Sequence, residues 1–487
     1  MLLSLKYSTI EACFSVPMLN LTMPNLPFLL AYATALLHWG SWAIGFLAAL
    51  PHLCNCAQPL FSRALERRFS LRAIMKWGFI LSAVPWFFVG FSRQFSKPAG
   101  DAVFSILLVI ATMANSITSV AWSASISQVV PARISGKYFG RRNLIFGAWT
   151  LIVVLAAGRI VDYMGDKSLA FSSIFAAAGF LRLSGLFFLG KMRFPSSVTE
   201  KRPATFKFSE MMAPFLDPNF RRYMFFVGLW GLFLNMGLPF YTVYLIRDLS
   251  FEVGHTVVLT TLATFGGILT LHSWGSLSDR FGSKPVQYVC SYAWILIGLV
   301  GWAVSGPLLQ HHLYLVYLVI GGATAGFQLT QFNLMLKLIP TGLGSLYIAA
   351  FLAMTSALTA LGPVLGGMLL AVTPQRLGTL MGQPLLDYHL LFLVSFLGCL
   401  ASLPFLTSVQ EPASDKVQTV WRSMWRMRSF NPLLAVTNAA GFLFTPRGML
   451  SMGKYSVQSL RREARRVLNV GTELLAGGQK LVKGRFE

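Results

Sequence analysis

Twelve long apolar runs constrain the fold of this sequence more than any other feature. They cover residues 8–36, 40–60, 72–92, 101–128, 142–163, 168–190, 221–246, 255–276, 285–306, 312–336, 344–372 and 388–409. Each is close to the ~20 residues that an α-helix needs to cross the hydrocarbon core of a bilayer. Backbone groups in lipid must be hydrogen-bonded within the protein, and a helix achieves this locally. We therefore predict an all-α integral membrane protein with twelve transmembrane helices.

Composition supports this class and bears on the partners. Of the 487 residues, 55% are hydrophobic and only 12% are charged, whereas soluble domains average about 25% charged residues. The formal net charge of +23 at first suggests a nucleic-acid partner, but the charge is concentrated in alternate loops. That set of loops holds Arg63, Arg67, Arg68, Arg72, Lys76, Arg133, Lys137, Arg141, Arg142, Arg280, Lys284 and Lys337.

The distribution of positive charge predicts the orientation in the membrane. Loops rich in Lys and Arg stay on the cytoplasmic side. The opposite set of loops holds only Arg93, Lys97, Arg159, Lys167, Arg247 and Arg376. We therefore expect both termini on the cytoplasmic side, and we interpret the positive charge as a topology signal and not as a nucleic-acid surface.

A polar linker and an internal repeat predict the domain organisation. Residues 191–220 separate the sixth run from the seventh and contain four prolines. They divide the chain into six-helix halves at 1–190 and 221–409, followed by a basic tail at 410–487. Leu26–Phe28 recurs 212 residues later as Leu238–Phe240, and Arg68 with Phe69 recurs at the same offset as Arg280 with Phe281. Such a repeat indicates two pseudo-symmetric halves.

A short charged stretch, Trp274–Pro285, carries the strongest motif. Asp279 and Arg280 are costly in lipid, which predicts a tight loop at a membrane face. Gly275 permits close approach of a neighbouring helix, and Gly282 ends one helix before the next begins. The spacing Gly-x-Leu-x-Asp-Arg-x-Gly-x-Lys resembles the signature loop of the major facilitator superfamily of transporters.

Three further runs resemble a broad bacterial group of this superfamily. They are Ile44–Pro51 leading to Gln58 and Pro59, then Gly136–Asn143, and Gln331–Asn333. The resemblance implies a secondary transporter in the bacterial inner membrane, which moves a small solute by alternating access between two helical bundles. It also implies gating roles for Arg68, Gly275, Asp279, Arg280 and Gly282.

The resemblance is incomplete at two places. The first-half copy of the signature has Arg67 where the pattern has an acid and Ser70 where it has a glycine. Gly362–Gly367 resembles an antiporter motif that belongs on helix five, but here it lies on helix eleven. We interpret this run as a kinked, closely packed helix.

Polar side chains inside the apolar runs are the candidate solute-cavity residues. Three on helix four recur at i, i+4 and i+7, which is one helical face, and an offset of 209 residues gives their counterparts on helix ten. Such stripes either line a cavity or hydrogen-bond helices to one another. Nearby prolines free backbone carbonyls, which are tolerated only toward protein or a watery cavity. The candidates are Asn115, Ser119 and Trp122 on helix four, Thr324, Gln328 and Gln331 on helix ten, Asn20 and Asn25 on helix one, and Asn235 on helix seven.

Two ionisable residues inside the runs are candidates for coupling transport to an ion gradient. Glu11 on helix one is either a proton-coupling site or a near-interface glutamate favoured by the helix N-terminus. Arg182 on helix six pairs with Glu11, binds an anionic solute, or snorkels to the interface. His52 and His272 lie on apolar helices and are interpreted as core hydrogen-bonding residues.

No enzymatic constellation is recognisable. The sequence has no Gly-Lys-Ser/Thr phosphate loop and no Ser-His-Asp pattern, and its five cysteines fall in apolar runs at spacings that suit neither zinc nor a disulfide framework. We predict no enzyme activity, no cofactor and no metal site, and we expect a small-molecule solute and the lipid bilayer as partners.

The basic tail leaves an alternative open. Its apolar residues repeat by three and four among arginines. This pattern fits a helix on anionic lipid, a helix on a cytoplasmic partner protein, or a disordered segment. The alternative to a transporter is therefore a membrane scaffold or assembly factor that recruits a partner through its tail.

Overall fold

The described part of the chain is mostly helical. The computed structural model describes residues 2–89, 96–130, 132–194, 208–303, 305–306, 311–340, 344–380, 383–411 and 417–420. In chain order the helices are α1 (Leu2–Thr22), α2 (Pro27–Ala31), α3 (Ser41–Arg68), α4 (Leu71–Phe88), α5 (Lys97–Val129), α6 (Ala132–Tyr163), α7 (Lys167–Gly190), α8 (Phe208–Leu216), α9 (Pro218–Arg247), α10 (Val253–Phe281), α11 (Ser283–Ala303), α12 (Leu313–Leu338), α13 (Gly344–Val372) and α14 (Asp387–Thr407). Among these described helices, all except α2 and α8 have 18 or more residues. The described residues up to Val420 form one compact unit, and the predicted tail from 421 onward lies outside the described residues.

Capping residues explain several helix boundaries. The carboxylate of Asp166 accepts hydrogen bonds from the backbone N–H groups of Ser168 and Leu169 at the start of α7. Asp217 does the same at the start of α9. These side chains accept hydrogen bonds from backbone N–H groups that have no acceptor within the helix. Gly282 ends α10 with a φ of 97°, a conformation that glycine adopts at little cost.

The first membrane span is interrupted. α1 ends at Thr22, and the chain turns before α2 begins at Pro27, which occupies the first helical position. Proline is suited to that position because its missing N–H would have no partner there. A turn of π-helix, Tyr32–Leu36, completes the span. The break therefore falls at Pro24 and Pro27, whereas Pro17 lies within α1.

The predicted apolar runs correspond to the long helices. Ten described helices are long and apolar enough to cross a membrane, and the first of these spans runs from α1 through Leu36. The remaining two long helices are α3 and α11. Several helices extend beyond their runs, because hydropathy marks only the lipid-embedded length. α6 already begins at Ala132 and α10 continues to Phe281. The expectation that Arg142, Asp279 and Arg280 lie in loops is therefore wrong, since all three are helical.

Helices pack closely where glycines remove side chains. In the first six long helices, α1 packs against α6 and α7, and α4 packs against α5 and α7. In the last six, α9 packs against α13 and α14, and α12 packs against α10 and α11. A Cβ on Gly266 would meet the carbonyl of Leu318, and one on Gly321 would meet that of Ala263. Small residues of this kind let membrane helices approach closely.

α3 and α13 join the first six long helices to the last six, backbone against backbone. A Cβ on Gly45 would meet the carbonyl of Pro363, and one on Gly367 would meet the carbonyl of Ser41. We name this contact the glycine seam. Gly362 and Gly366 face the backbone of α9 in the same way. The interpretation of Gly362–Gly367 as a closely packed helix is therefore confirmed.

A second pair, α6 and α10, also joins the two groups of helices. Asp162 Oδ1 accepts a hydrogen bond of 2.9 Å from the backbone N–H of Gly254, in the first turn of α10. Close by, Arg247 Nη2 donates a hydrogen bond of 2.7 Å to the carbonyl of Trp39. Both bonds lie at the end of the helices where α6 finishes and α10 begins.

A small β-hairpin lies at this same end of the molecule. β1 (Arg376–Leu380) pairs antiparallel with β2 (Gln383–Leu386) between α13 and α14. We name this the hairpin end, and the end that contains Gly282 the signature end. The all-α expectation does not include this hairpin, because strands of five and four residues are too short for a clear alternating pattern.

Candidate functional site

A polar cavity lies near the middle of the last six helices. It has a volume of about 210 Å³ and is lined by His52, Val227, Trp230, Gly231, Leu234, Asn235, Trp294, Thr324, Phe327, Gln328, Gln331, Thr355, Ser356 and Thr359. These residues come from α9, α11, α12 and α13, with His52 from α3. Four of the nine candidate cavity residues are therefore brought together, namely Asn235, Thr324, Gln328 and Gln331.

Several polar groups of this cavity remain available for hydrogen bonding. Within the described residues, the side-chain amides of Gln328 and Gln331 form no hydrogen bond. The amide nitrogen of Asn235 donates to the carbonyl of Gly231 at 2.9 Å, and the Asn235 side chain also contacts His52. Thr324 Oγ1 accepts a hydrogen bond of 3.1 Å from the indole N–H of Trp294. Amides that have no partner in the protein can bond a solute.

Aromatic rings form another wall of the cavity. Trp230 stacks on Phe327 with ring centroids 4.9 Å apart and an interplanar angle of 18°. Trp294 meets Trp230 edge to face at 6.4 Å. Stacking within this cluster fixes the orientation of the rings. The cavity therefore combines a rigid apolar wall with polar side chains.

His52 is the lining residue from the first six helices. Its Nε2 atom is buried and has no hydrogen-bond partner within the described residues. The side chain of His52 also has a hydrogen-bonding contact with Asn235, which agrees with its interpretation as a hydrogen-bonding residue. The interpretation of His272 as a core residue is wrong, because it is exposed. No sequence pattern indicated that His52 lines the cavity, because the face of α3 that meets α9 depends on the packing of the two groups of helices.

The predicted polar stripe on α5 does not line this cavity. Asn115 Oδ1 accepts a hydrogen bond of 3.1 Å from Arg182 Nη2. The hydroxyl of Ser119 donates to the carbonyl of Ser116 at 2.8 Å, and Trp122 packs against the guanidinium of Arg142 at 4.6 Å. Polar stripes of this kind either line a cavity or form contacts within the protein. The stripe on α12 lines a cavity, whereas the side chains of the α5 stripe contact other groups of the protein.

The asparagines of helix one also lie outside the cavity. Asn20 Nδ2 donates a hydrogen bond of 3.0 Å to the carbonyl of Val16 on its own helix. Asn25 is half-buried in the turn between α1 and α2. Neither lines the cavity described above.

Three charged side chains are buried together among the first six helices. The exposed fraction is 3% for Glu11, 8% for Arg142 and 4% for Arg182. Glu11 Oε2 lies 3.7 Å from Arg142 Nη2. Arg182 Nε donates to the hydroxyl of Ser82 at 3.0 Å, and its guanidinium lies 3.8 Å from the ring centroid of Phe79. We name Glu11, Arg142 and Arg182 the buried charge cluster.

This cluster bears on the interpretation of Arg182. Arg182 does not snorkel, because its side chain is enclosed by protein, and Glu11 is buried beside Arg142. Sequence reasoning missed Arg142 as the partner of Glu11, because it assigned Arg142 to a loop. A signal was present, since a carboxylate in an apolar helix requires a cation nearby, and Arg142 stands at the edge of an apolar run.

The candidate gating residues lie at the signature end. Arg68 is the last residue of α3 and is exposed, as are Asp279 and Arg280 in the last turn of α10. The guanidinium of Arg280 lies 5.0 Å from the ring centroid of Phe281. In the described part of the chain, Asp279 has no salt-bridge partner. Gly275 is not at a close contact, because an added Cβ would have its nearest neighbour, Leu329 Cδ2, at 3.8 Å.

A carboxylate that sequence reasoning placed in the tail holds the turn after Gly282. Glu411 accepts hydrogen bonds from the backbone N–H groups of Ser283, at 2.9 Å, and Lys284, at 2.7 Å. Lys337 Nζ lies 2.8 Å from the same carboxylate. A carboxylate is stabilised at a helix N-terminus by the free N–H groups and the helix dipole. Glu411 therefore belongs to the helical body of the protein.

A larger cavity of about 330 Å³ lies elsewhere and has a different character. It is lined by apolar residues of α3, α4 and α5, among them Leu65, Phe69, Trp77 and Ile117. Such a lining offers a polar solute almost no hydrogen-bond partner. Volume alone would favour this cavity, but the polar cavity has the chemistry of a solute site.

Comparison with known proteins rests on structure. No family model and no curated sequence matches the chain. A crystal structure of the nucleoside transporter NupG matches with a TM-score of 0.65 at 16% identity, covering 84% of this chain and 100% of that one. A bacterial homologue of the iron transporter ferroportin matches with a TM-score of 0.65 at 15% identity, covering 84% of this chain and 98% of that one. The xylose transporter XylE from E. coli matches with a TM-score of 0.63 at 13% identity, covering 86% of this chain and 99% of that one.

These matches span almost the whole of each solved transporter. The fold is that of the major facilitator transporters. The chain is accordingly a multi-pass membrane protein, and the three solved structures named above are described as transporters. In the major facilitator fold, solute sites lie near the bilayer midplane at the interface of the two repeats. The polar cavity lies near the middle of its helices and is lined from both groups of helices.

Proposed function

We propose that this protein is a secondary transporter that moves a small solute across a membrane by alternating access. The observation that carries the proposal is the polar cavity, in which amides without a protein partner lie near the middle of apolar helices. An uncompensated polar group in a membrane protein is costly unless it faces water or a ligand. A major facilitator fold with such a cavity fits solute transport.

The moving bodies in this proposal are the two six-helix halves, 1–190 and 221–409, connected by the linker 191–220. The glycine seam and the Asp162–Gly254 hydrogen bond hold the halves together at the hairpin end. We take this conformation as closed at the hairpin end and open toward the signature end. The ferroportin homologue is described in an inward-facing state and XylE in an inward open conformation, which supports the same assignment here.

The orientation follows from the positive charge. The signature end holds the lysines and arginines of the first set of loops, which favours the cytoplasmic side. In this proposal both termini are cytoplasmic and the hairpin end faces outward, in the inner membrane of a bacterium. The partners are the solute and the bilayer, with no nucleic acid.

The gating residues act in the opposite conformation. When the halves close at the signature end, Asp279 reaches a cation of the first half, such as Arg68, while Gly282 keeps the turn short. Such an exposed pair contributes only ~0.2–1 kcal/mol. This biases two conformations of similar free energy without fixing either one.

The coupling device is the buried charge cluster. Arg142 pairs with Glu11 and Arg182 is held by Ser82 and Asn115. Protonation of Glu11 removes the negative charge from this cluster and frees Arg142 to change partner. The proton would thereby be coupled to the packing of α1 against α6.

The test is solute flux through the full-length chain in proteoliposomes. A panel of sugars, nucleosides, amino acids and organic acids is assayed by counterflow, with Gln331→Ala as the cavity variant and Gln375→Ala, an exposed position, as the matched control. We expect at least one solute to enter faster than into protein-free vesicles, and Gln331→Ala to slow that entry while Gln375→Ala does not. A panel in which no solute moves faster than through lipid alone contradicts the proposal.

The scaffold alternative has less support. It depends on a basic tail that recruits anionic lipid or a cytoplasmic protein, and residues 421–487 lie outside the described part of the chain. A scaffold would not need a polar cavity among apolar helices. We therefore keep tail binding as an accessory property that does not replace transport.

A further inference from the structure

The lining of the polar cavity is uncharged. Among the described residues that line it, none is Asp, Glu, Lys or Arg. The buried charges Glu11, Arg142 and Arg182 are engaged with one another, with Ser82 and with Asn115 instead. An ion that enters a low-dielectric site without a counter-charge loses several kcal/mol of solvation. We propose, on the basis of the transport function proposed above, that the solute is an uncharged molecule rich in hydrogen-bonding groups.

The free polar groups indicate what one edge of the solute carries. The amides of Gln328 and Gln331 each offer a donor and an acceptor, and Asn235 lies beside them in the lining of the cavity. Amide side chains that converge on a site favour hydroxyl or amide groups, because these also donate and accept. An apolar solute would leave the same amides without partners and would therefore bind more weakly.

The aromatic wall indicates what the other face of the solute carries. Trp230, stacked on Phe327 and braced by Trp294, presents flat apolar surface. A sugar ring offers such a wall its C–H face, and a nucleobase offers its π face. The solute therefore has a flat or weakly polar face opposite its hydrogen-bonding edge.

The volume limits the size. About 210 Å³ is below the ~300–1,000 Å³ typical of sites for drug-sized ligands. Monosaccharides and nucleosides share all three properties, namely no charge, several hydroxyl groups and one flat face. Large amphipathic drugs and inorganic cations do not.

The first half supplies one recognition group in this assignment. His52 Nε2 is buried without a partner and belongs to a residue that lines the cavity from α3. A solute hydroxyl can satisfy this nitrogen while its other groups bond the second half. The solute would then connect the two halves through α3.

The experiment compares solutes that differ only in charge. Thermal stabilisation of the purified full-length protein in detergent is measured with uridine against uridine 5′-monophosphate, and with D-glucose against D-glucuronate and D-glucosamine. We expect the uncharged member of at least one series to stabilise the protein. Its apparent Kd should be at least about tenfold lower than that of its charged counterparts, which corresponds to a difference of ~1.4 kcal/mol in binding free energy. The series that responds distinguishes a nucleoside from a monosaccharide.

Variants test whether the effect arises in this cavity. Gln328→Ala and Gln331→Ala should each weaken binding by about tenfold, whereas Gln375→Ala should not. If an alanine variant is unstable without solute, Gln331→Glu keeps the shape and introduces a carboxylate. That variant should weaken binding of the uncharged solute and favour D-glucosamine.

Two results overturn the inference. In one, a charged member binds as tightly as its uncharged counterpart or more tightly, and in the other, no uncharged member stabilises the protein. Flux of the same solutes in proteoliposomes distinguishes failure of the solute-class inference from failure of the transport proposal. A charged solute that is both bound and transported removes only the solute class, whereas an uncharged solute that is bound but never transported removes only the transport function.

Discussion

The carboxylate of Glu11 on α1 lies 3.7 Å from the guanidinium of Arg142 on α6, and both side chains are buried. Arg142 also donates to the carbonyl of Ser8 at 3.4 Å. A buried ion pair recovers little net free energy, because both groups lose their hydration, but removal of one partner leaves the other charge uncompensated. The pair therefore makes the contact between α1 and α6 sensitive to the charge of either residue.

Removal of the cation from this pair should destabilise the protein. Arg142→Met removes the ion-pair partner that lies 3.7 Å from Glu11, and we expect a loss of about 3–5 kcal/mol, measured as a fall in apparent Tm of the purified protein. The matched control is Arg159→Met, an exposed arginine on the same helix, which should change the apparent Tm little. The double variant Glu11→Gln with Arg142→Met should recover part of the loss, and a double variant as unstable as Arg142→Met would contradict the assigned pairing.

The glycine seam should not tolerate a side chain. Gly45→Leu directs carbon atoms at the backbone carbonyl of Pro363, and backbone cannot move aside as a flexible side chain can. We expect α3 and α13 to separate at the hairpin end. Spin labels at Lys167 and Val372, both exposed positions at this end, should report a longer distance. Gly147→Leu is the control, because a Cβ there has no neighbour within 4 Å, and an equal change in both variants would refute the role of the seam.

Asp162 should stabilise closure of the hairpin end through its bond to Gly254. The side-chain oxygen accepts from a backbone N–H at the start of α10, where the helix dipole favours a negative charge. Asp162→Ala removes the acceptor, which should destabilise the conformation closed at the hairpin end by about 1–3 kcal/mol. The distance between the same spin labels should therefore shift toward longer values. Asp162→Asn keeps an acceptor oxygen and should have the smaller effect. Equal shifts would show that the hydrogen bond itself is unimportant.

Glu411 should stabilise the signature end. Glu411→Ala leaves the N–H groups of Ser283 and Lys284 without their acceptor and removes the partner of Lys337. Hydrogen bonds to a charged group contribute ~1.5–3 kcal/mol, so we expect a clear fall in apparent Tm. Glu252→Ala is the matched control, because Glu252 is exposed and faces only His255 at 3.8 Å. A variant as stable as this control would show that Glu411 is not a structural residue.

The membrane helices could be predicted from the sequence because hydrophobicity reports directly on burial in lipid. The stripe on α12 was also predictable, since Thr324, Gln328 and Gln331 share one helical face. The equivalent stripe on α5 followed the same spacing, yet Asn115 bonds Arg182 and does not line the cavity. Periodicity gives the face of a helix, but the rotation of that helix within a bundle depends on its neighbours. The same spacing therefore occurs on one helix whose polar side chains line the cavity and on another whose polar side chains do not.

Other features required three-dimensional packing that no local pattern contains. His52 lines the cavity only because α3 crosses between the two groups of helices at the glycine seam. Glu411 follows the last membrane helix and reaches a turn that lies more than a hundred residues earlier in the chain. The gating assignment of Gly275 assumed a close approach that occurs instead at Gly266 and Gly321. Each of these contacts is long-range in sequence.

Apart from His52, the cavity is lined by the last six long helices, whereas the buried charge cluster lies among the first six. In the transport proposal this separation has an evolutionary consequence. Substitutions on α9, α12 and α13 would alter which solute is recognised while Glu11, Arg142 and Arg182 stay untouched. Changes on α1, α6 and α7 would alter the proposed response to protons without reshaping the pocket, so that selectivity and coupling would diverge independently.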